Sequence, residues 1–392
     1  MRSAEGRSSV LAFSLRSCDR GLMKLRWAIL VAAGCSRSAP PAPPPPPPQP
    51  LASPVATASQ EVPIASSRAS ESASPRQLTS KPLPLPGADG PAFLDYIAYE
   101  HANARVWVPV GSTGSVDVLD VKSGTFKRVD GFKTEVREVN GKKRTYGPSA
   151  AAVGDGTVYV GNRATSEVCP VDARTLKLGK CLKLTTPTDG VAYVASAKEV
   201  WVTTPKDQTL TVLDASKPNA LATKTTIKTE GSPEGYAVDE ARGLFFTNLE
   251  DKGPTLVIDV KTHKVKASWN ANCGSDGPRG IAFDPDHNFL VVACTDHVQV
   301  LDAGHYGALL GKLDIGAGID NIDLADGKVY AAAGKAATLT VAKLDSNGVL
   351  TVMAAGATSE GARNAVADAD GNVYVADSQA ARLLVFPPAA AK

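Results

Sequence analysis

A short motif recurs along this chain at a nearly fixed interval, and that recurrence limits the possible folds more than any other feature. The motif is a polar residue, a small residue, an apolar one and usually Ala. It reads Arg279-Gly-Ile-Ala, Glu234-Gly-Tyr-Ala, Asp189-Gly-Val-Ala, Asp320-Asn-Ile-Asp and Arg363-Asn-Ala-Val, with looser copies opening at Ser149 and Asp95. From Asp95 onward the copies are 54, 40, 45, 45, 41 and 43 residues apart. A period in the low forties is that of a four-stranded propeller blade. The stretch 273–302 shows one unit in full: apolar runs at 280–283, 289–293 and 298–301, separated by turn-forming and polar residues. Short runs punctuated by Asp, Pro, Asn and Gly read as an antiparallel meander.

Each copy carries a second run of β-branched and aromatic residues, such as Val106-Trp-Val, Val158-Tyr-Val, Val200-Trp-Val and Val373-Tyr-Val. A third run often ends in Asp, as at Asp120, Asp214, Asp259 and Asp302. Seven copies predict an all-β protein, a seven-bladed β-propeller of four-stranded antiparallel blades, within the range of blade numbers that close a ring. The segments Tyr159-Val-Gly-Asn162 and Phe246-Thr-Asn248, with the Val-x-Val-Leu-Asp runs, resemble the YVTN-repeat, YncE-like β-propellers over roughly residues 82–388. The resemblance implies the fold. It implies no chemistry, because that family has no single activity and one fold hosts many functions.

The last copy has room for three strands, at 364–367, 372–376 and 382–386. The segment Lys81-Pro-Leu-Pro-Leu-Pro86-Gly, ahead of the first anchor, is expected to supply the fourth and fasten the two ends of the ring. Pro82, Pro84 and Pro86 alternate, so their missing N–H groups fall on one side, which can be a solvent edge where proline is tolerated and edge pairing is blocked. Leu83 and Leu85 keep their donors for the neighbouring strand.

Ahead of this lie two segments of different character. Met23-Lys-Leu-Arg followed by an apolar run at 27–33 reads as an export signal with Met23 as the expected start; the run is too short to span a bilayer. It ends in Ala32-Ala33-Gly34-Cys35, similar to a bacterial lipobox, although such a box usually opens with Leu. Residues 1–35 are therefore expected to be a signal peptide and Cys35 the lipidated residue. Residues 36–80 are Pro-, Ala- and Ser-rich, with six consecutive prolines at 43–48. They are expected to remain a disordered tether, semi-rigid where polyproline II forms, leaving 81–388 as the propeller and 389–392 as a tail. The expected location is the outer membrane, facing periplasm or cell surface.

An exported domain keeps disulfides. Cys169 and Cys181 flank the turn at 172–178 on neighbouring strands of one blade. Cys273 enters the fifth blade, and Cys294 ends a strand paired with the one near Arg279. Blades two and five are too far apart for a bridge, so the expected pairs are Cys169–Cys181 and Cys273–Cys294. A zinc site is the rival, but no Cys-x-x-Cys or nearby His pair supports it.

The anchors start the innermost strands, so Asp95, Ser149, Asp189, Glu234, Arg279, Asp320 and Arg363 should ring one mouth of the central channel. One arrangement is a salt-bridged plug, with Arg279 between Glu234 and Asp320, and Arg363 between Asp320 and Asp95. The other is a polar-ligand or divalent-cation site near Asp189 and Glu234, which have no arginine beside them in ring order. The first is favoured, because ion-pair networks also cluster charges. Loops between second and third strands open on the same face and form a polar rim: Asn162, Arg163, Asn248, Glu250, Asp251, Asp296, His297 and Asp377, with Lys206, Asp207 and Lys335. The Asp residues ending third strands are expected to do turn work. Residues 130–146 form an extra stretch in the first blade, with Lys133, Arg137, Lys142, Lys143 and Arg144 partly offset by Glu135 and Glu138. It reads as a solvated insertion or as a hairpin over the channel mouth meeting an anionic partner.

Residues 1–35 hold six Lys/Arg and two acids, so the remainder has 36 basic and 38 acidic side chains, and no global field favours nucleic acid. There is no Gly-x-Ser-x-Gly elbow or His-Glu-x-x-His, no Cys-x-x-Cys-His and no phosphate-cradling loop. The expectation is a monomeric, non-catalytic binding or interaction module. It is tethered to a membrane by lipid, engages a protein or small polar ligand and needs no cofactor. The alternative is a hydrolase resembling propeller lactonases, with Asp189, Glu234 and Asp320 holding Ca2+ or Mg2+ to activate water. Asn321 and Asn364 could echo the Asn ligands of those enzymes, and Arg279 inside the set argues against it.

Overall fold

The computed structural model describes residues 74–139 and 141–389. The expected export signal, Cys35 and most of the expected tether lie outside them. Seven antiparallel blades form a ring. Their innermost strands are Ala98–Glu100, Pro148–Val153, Val191–Val194, Pro233–Asp239, Pro278–Asp284, Ile319–Ala325 and Ala365–Ala367. Each blade proceeds outward strand by strand. The third-strand Asp residues close the turns at the end opposite the anchors, as at Asp120, which accepts a bond from the Ser123 N–H at 2.8 Å, and Asp259, which accepts one from Thr262 at 2.8 Å. These bonds favour the charged carboxylate and hold both groups below the usual range.

The second strands are buried on both faces because blades stack on them from either side. Val106–Val108, Val158–Val160, Val200–Val202 and Leu290–Val292 are inaccessible or nearly so. The two indoles on these second strands need a partner for their N–H, and each has a buried carboxylate: Trp107 donates to Glu100 and Trp201 to Glu199, both at 2.9 Å.

The ring closes as the prolines require. Lys81–Pro84 pairs antiparallel with Arg382–Phe386, and the Leu85 N–H donates to the Ala381 carbonyl at 2.9 Å. Pro82 and Pro84 are exposed while Leu85 is buried. A strand also falls within the stretch expected to be tether. Arg76–Leu78 pairs in parallel with Leu350–Ala357, adding a fifth strand to the sixth blade. Three residues leave no alternation to read, yet Leu78 is buried among Leu339, Val341 and Phe386. The same short stretch therefore edges blade six and completes blade seven.

Both disulfides form as expected. Glu167 and Val168 pair with Lys183 and Leu182, so the next position outward sets Cys169 opposite Cys181. Cys273 reaches Cys294 across the entry to blade five. Among the described residues, the one trio of His, Cys and acidic groups close enough to share a metal ion is Glu167, Cys169 and Cys181, whose sulfurs are already bonded to each other.

A charged channel mouth as the candidate functional site

The glycine that follows Asp189, Glu234 and Arg279 has a steric cause. A Cβ on Gly235 would lie 2.3 Å from the Arg279 carbonyl oxygen, and one on Gly280 would lie 2.5 Å from the Asn321 side chain. The innermost strands meet this closely at the ring axis, and the convergence brings the anchors to one cavity of about 350 Å³. Asp95, Asp189, Glu234, Arg279, Asp320 and Arg363 all line it, joined by Arg163, Lys206, Glu250 and Thr188. Ser149 sits deeper: it is fully buried, and its hydroxyl has no hydrogen-bond partner.

The pairing inside the ring differs from the order of the anchors. Arg163, from the loop between the second and third strands of blade two, pairs with Asp189, lies 3.6 Å from Asp95 and donates from Nε to the Thr188 carbonyl at 3.3 Å. Asp189 therefore does have an arginine beside it. Arg279 does not bridge Glu234 and Asp320; it pairs with Glu250 of the rim. Arg363 behaves as expected, with Nε 3.3 Å from Asp320 and Nη2 4.0 Å from Asp95. The corrections share one cause. Each new pair uses a residue from a loop between second and third strands, Arg163 in one and Glu250 in the other, and the order of the anchors says nothing of the reach of those loops.

Glu234 is left without a cation at ion-pair distance among the described residues; its contact is the Tyr96 hydroxyl, donating at 3.2 Å. Burial, reinforced by Asp320, Glu250 and Asp95 and opposed by Arg163, pushes its carboxyl up to about 8. Asp320 is pushed up to about 6 by burial, with Arg363 restraining the shift. Beneath them Tyr96 and Tyr236 stack with centroids 5.7 Å apart, and Tyr236 donates to the Val191 carbonyl. The acids are thus recessed, whereas Arg363 and Lys206 are exposed at the lip.

The rest of the expected rim divides. Asn162 and Asn248 are buried and act on backbone: Asn162 donates to the Lys133 carbonyl at 3.0 Å and Asn248 to the Arg279 carbonyl at 2.5 Å. Asp377 is buried and holds Arg382 and Ser359, both at 2.7 Å. Asp251 accepts the Ser232 N–H at 2.6 Å. His297 is buried between exposed Asp296 and Gln299, so it braces its own blade instead of facing the mouth. Asp207 and Lys335 are exposed.

The insertion is a hairpin, Glu135–Val139 with Lys142–Tyr146, on the mouth end of the ring. Arg137 fastens it to blade two, donating to the carbonyls of Arg163 at 3.3 Å and Ala164 at 3.0 Å while lying 5.1 Å from the Tyr146 ring centroid.

No protein-family model matches the chain, and no curated protein matches it. Solved structures do. A chain of a mitotic checkpoint complex superposes with a TM-score of 0.65 at 14% identity, covering 86% of this chain and 99% of that one. A chain of Kuenenia stuttgartiensis hydrazine synthase gives 0.63 at 15%, covering 77% and 98%. Virginiamycin B lyase from Staphylococcus aureus gives 0.62 at 12%, covering 79% and 99%. The shared property is the propeller fold, and the differing activities follow the rule that function resides in sites set on folds.

Proposed function

We propose that this protein is an exported, lipid-anchored propeller of the YVTN-repeat, YncE-like kind that works as a non-catalytic binding module. Cys35 carries the lipid and the proline-rich tether holds a monomeric head away from the outer membrane. The mouth receives a protein segment or a small polar ligand without a cofactor. The observation that carries this reading is the layering of charge at the mouth. Buried Asp95 and Asp189 and half-buried Asp320 are neutralised in place by Arg163 and Arg363, while Lys206 and Arg363 remain at the lip. Such a site is rigid and prepaired, as binding surfaces on loop-bearing scaffolds commonly are. It suits the hydrolase alternative poorly, because guanidinium groups occupy the oxygens of Asp189 and Asp320 that a divalent cation would need.

The test has two arms. Mass spectrometry of the membrane fraction should find a diacylglyceryl Cys35, and Cys35→Ala should release soluble protein. A photo-crosslinking residue in place of Lys206 should capture a partner in cells, while the same residue in place of Lys217 at the opposite end should not. Equal capture from both ends would remove the mouth as the binding surface.

A further inference from the structure

We propose that the mouth continues into a cationic groove that receives an extended acidic peptide segment carrying apolar side chains. The inference rests on the binding-module reading and names the partner's chemistry. Arg363 belongs to three depressions at once: the mouth itself and two neighbours of about 550 Å³ each. One runs from Arg363 past Gln379 to Lys142, Lys143 and Arg144 of the hairpin. The other runs from Arg363 to Lys335 and includes Glu360. The hairpin therefore does not merely project into solvent, because its basic strand walls a groove whose other end is the ring.

The charges in this groove are available. Lys142, Lys143, Arg144 and Lys335 are exposed, and among the described residues none has a carboxylate at ion-pair distance. Glu135 is engaged by Arg137 at 2.7 Å, and Glu138 stands opposite Lys143 in the hairpin register. In the mouth Asp95, Asp189 and Asp320 are paired with Arg163 and Arg363, and Glu250 with Arg279, so these acids are already matched within the ring. Arg363 serves both layers, pairing downward with Asp320 while remaining exposed.

Three features favour a polypeptide over an acidic glycan. Pro91, Ala92, Phe93 and Leu94 line the hairpin groove, which suits a short apolar side chain between acidic ones. The Phe93 ring is already engaged, with Arg163 over it 5.2 Å from the centroid and Tyr146 tilted against it at 5.4 Å, which makes it a poor platform for stacking a sugar. Val136 on the hairpin is 62% exposed, an apolar contact beside the basic strand. Charge complementarity of this sort sets specificity and encounter rate and is screened by salt.

The probe is a fluorescein-labelled peptide of repeating Glu-Glu-Leu, titrated with the full chain and followed by anisotropy. The peptide should bind at low salt, weaken as salt rises, and lose about tenfold or more in affinity for the triple variant Lys142→Glu, Lys143→Glu, Arg144→Glu. Reversing Lys122, Lys217 and Lys261, on turns at the opposite end, should change it less than about twofold. Lys335→Glu, on a blade loop away from the hairpin, should also weaken binding and guards against a hairpin that fails to fold. Three results would overturn the proposal: no binding, equal loss from both triple reversals, or tighter binding of an oligogalacturonate of matched charge. A partner crosslinked at Lys206 that lacks an acidic segment would leave the module reading standing and remove this one.

Discussion

Replacing Arg163 by Met tests whether the mouth is held by the connections the structure shows. Met keeps an apolar stem along Phe93 and removes the charge, so the loss reports mainly electrostatics. Asp189, whose side chain is 6% exposed, would lose its only cation at ion-pair distance among the described residues. Asp95 would retain Arg363 at 4.0 Å and the Asn364 amide at 3.4 Å. Stranding one buried carboxylate costs about 3–5 kcal/mol, and the lost cation–π contact adds up to about 1 kcal/mol. Arg279→Met is the matched control. Its partner Glu250 is 30% exposed and Arg279 itself 29%, so the pair is solvated and should be worth about 1 kcal/mol or less. Urea unfolding with an unchanged slope isolates stability from changes in compactness. Adding Asp189→Asn to Arg163→Met should recover much of the loss, since no buried charge then remains to be paired. If Arg163→Met costs no more than Arg279→Met, or if Asp189→Asn restores nothing, the pairing scheme fails.

Between pH 4.5 and about 8 folded Glu234 holds a proton that the unfolded chain has released, so its contribution lowers stability as pH rises, by at most about 1.4 kcal/mol per unit, and levels off above that window. Glu234→Gln should therefore match the wild type below pH 4.5 and exceed it near pH 8; parallel urea profiles across this range would refute the buried acid. Mutating either disulfide pair to Ala should cost about 2–4 kcal/mol, with Cys273–Cys294, the longer loop, about 0.5 kcal/mol the greater; a non-reducing peptide map showing free thiols would contradict both. Chains beginning at Ser74, Ser80 and Ala88 should melt in descending order. The first cut removes only Arg76–Leu78 and costs about 1–3 kcal/mol through Leu78, while the second also removes the closing strand and should promote aggregation. Identical curves for Ser80 and Ala88 would mean the ring closes otherwise.

The repeat period and the cysteine positions determined the blade count and both disulfides, because each depends on local chain geometry; the closing strand was legible from the alternating prolines and from the strand missing in the last copy. A blade is a meander whose partners are neighbours in sequence, and Cys169 faces Cys181 as soon as the intervening turn is recognised. The gathering of Asp95, Asp189, Glu234, Asp320 and Arg363 was legible for the same reason, since equivalent positions of a closed ring must converge. Tertiary structure alone decided which charges meet. Arg163 and Glu250 sit on loops whose reach is set by how far each blade stands from the axis, and a long side chain can choose among several acids within that distance. It also decided that Arg76–Leu78 is a strand, because three residues gain their order from the edge of blade six and not from their own pattern. The position of Lys142–Tyr146 beside Arg363 joins residues more than two hundred positions apart, and only closing the ring brings blade one against blade seven.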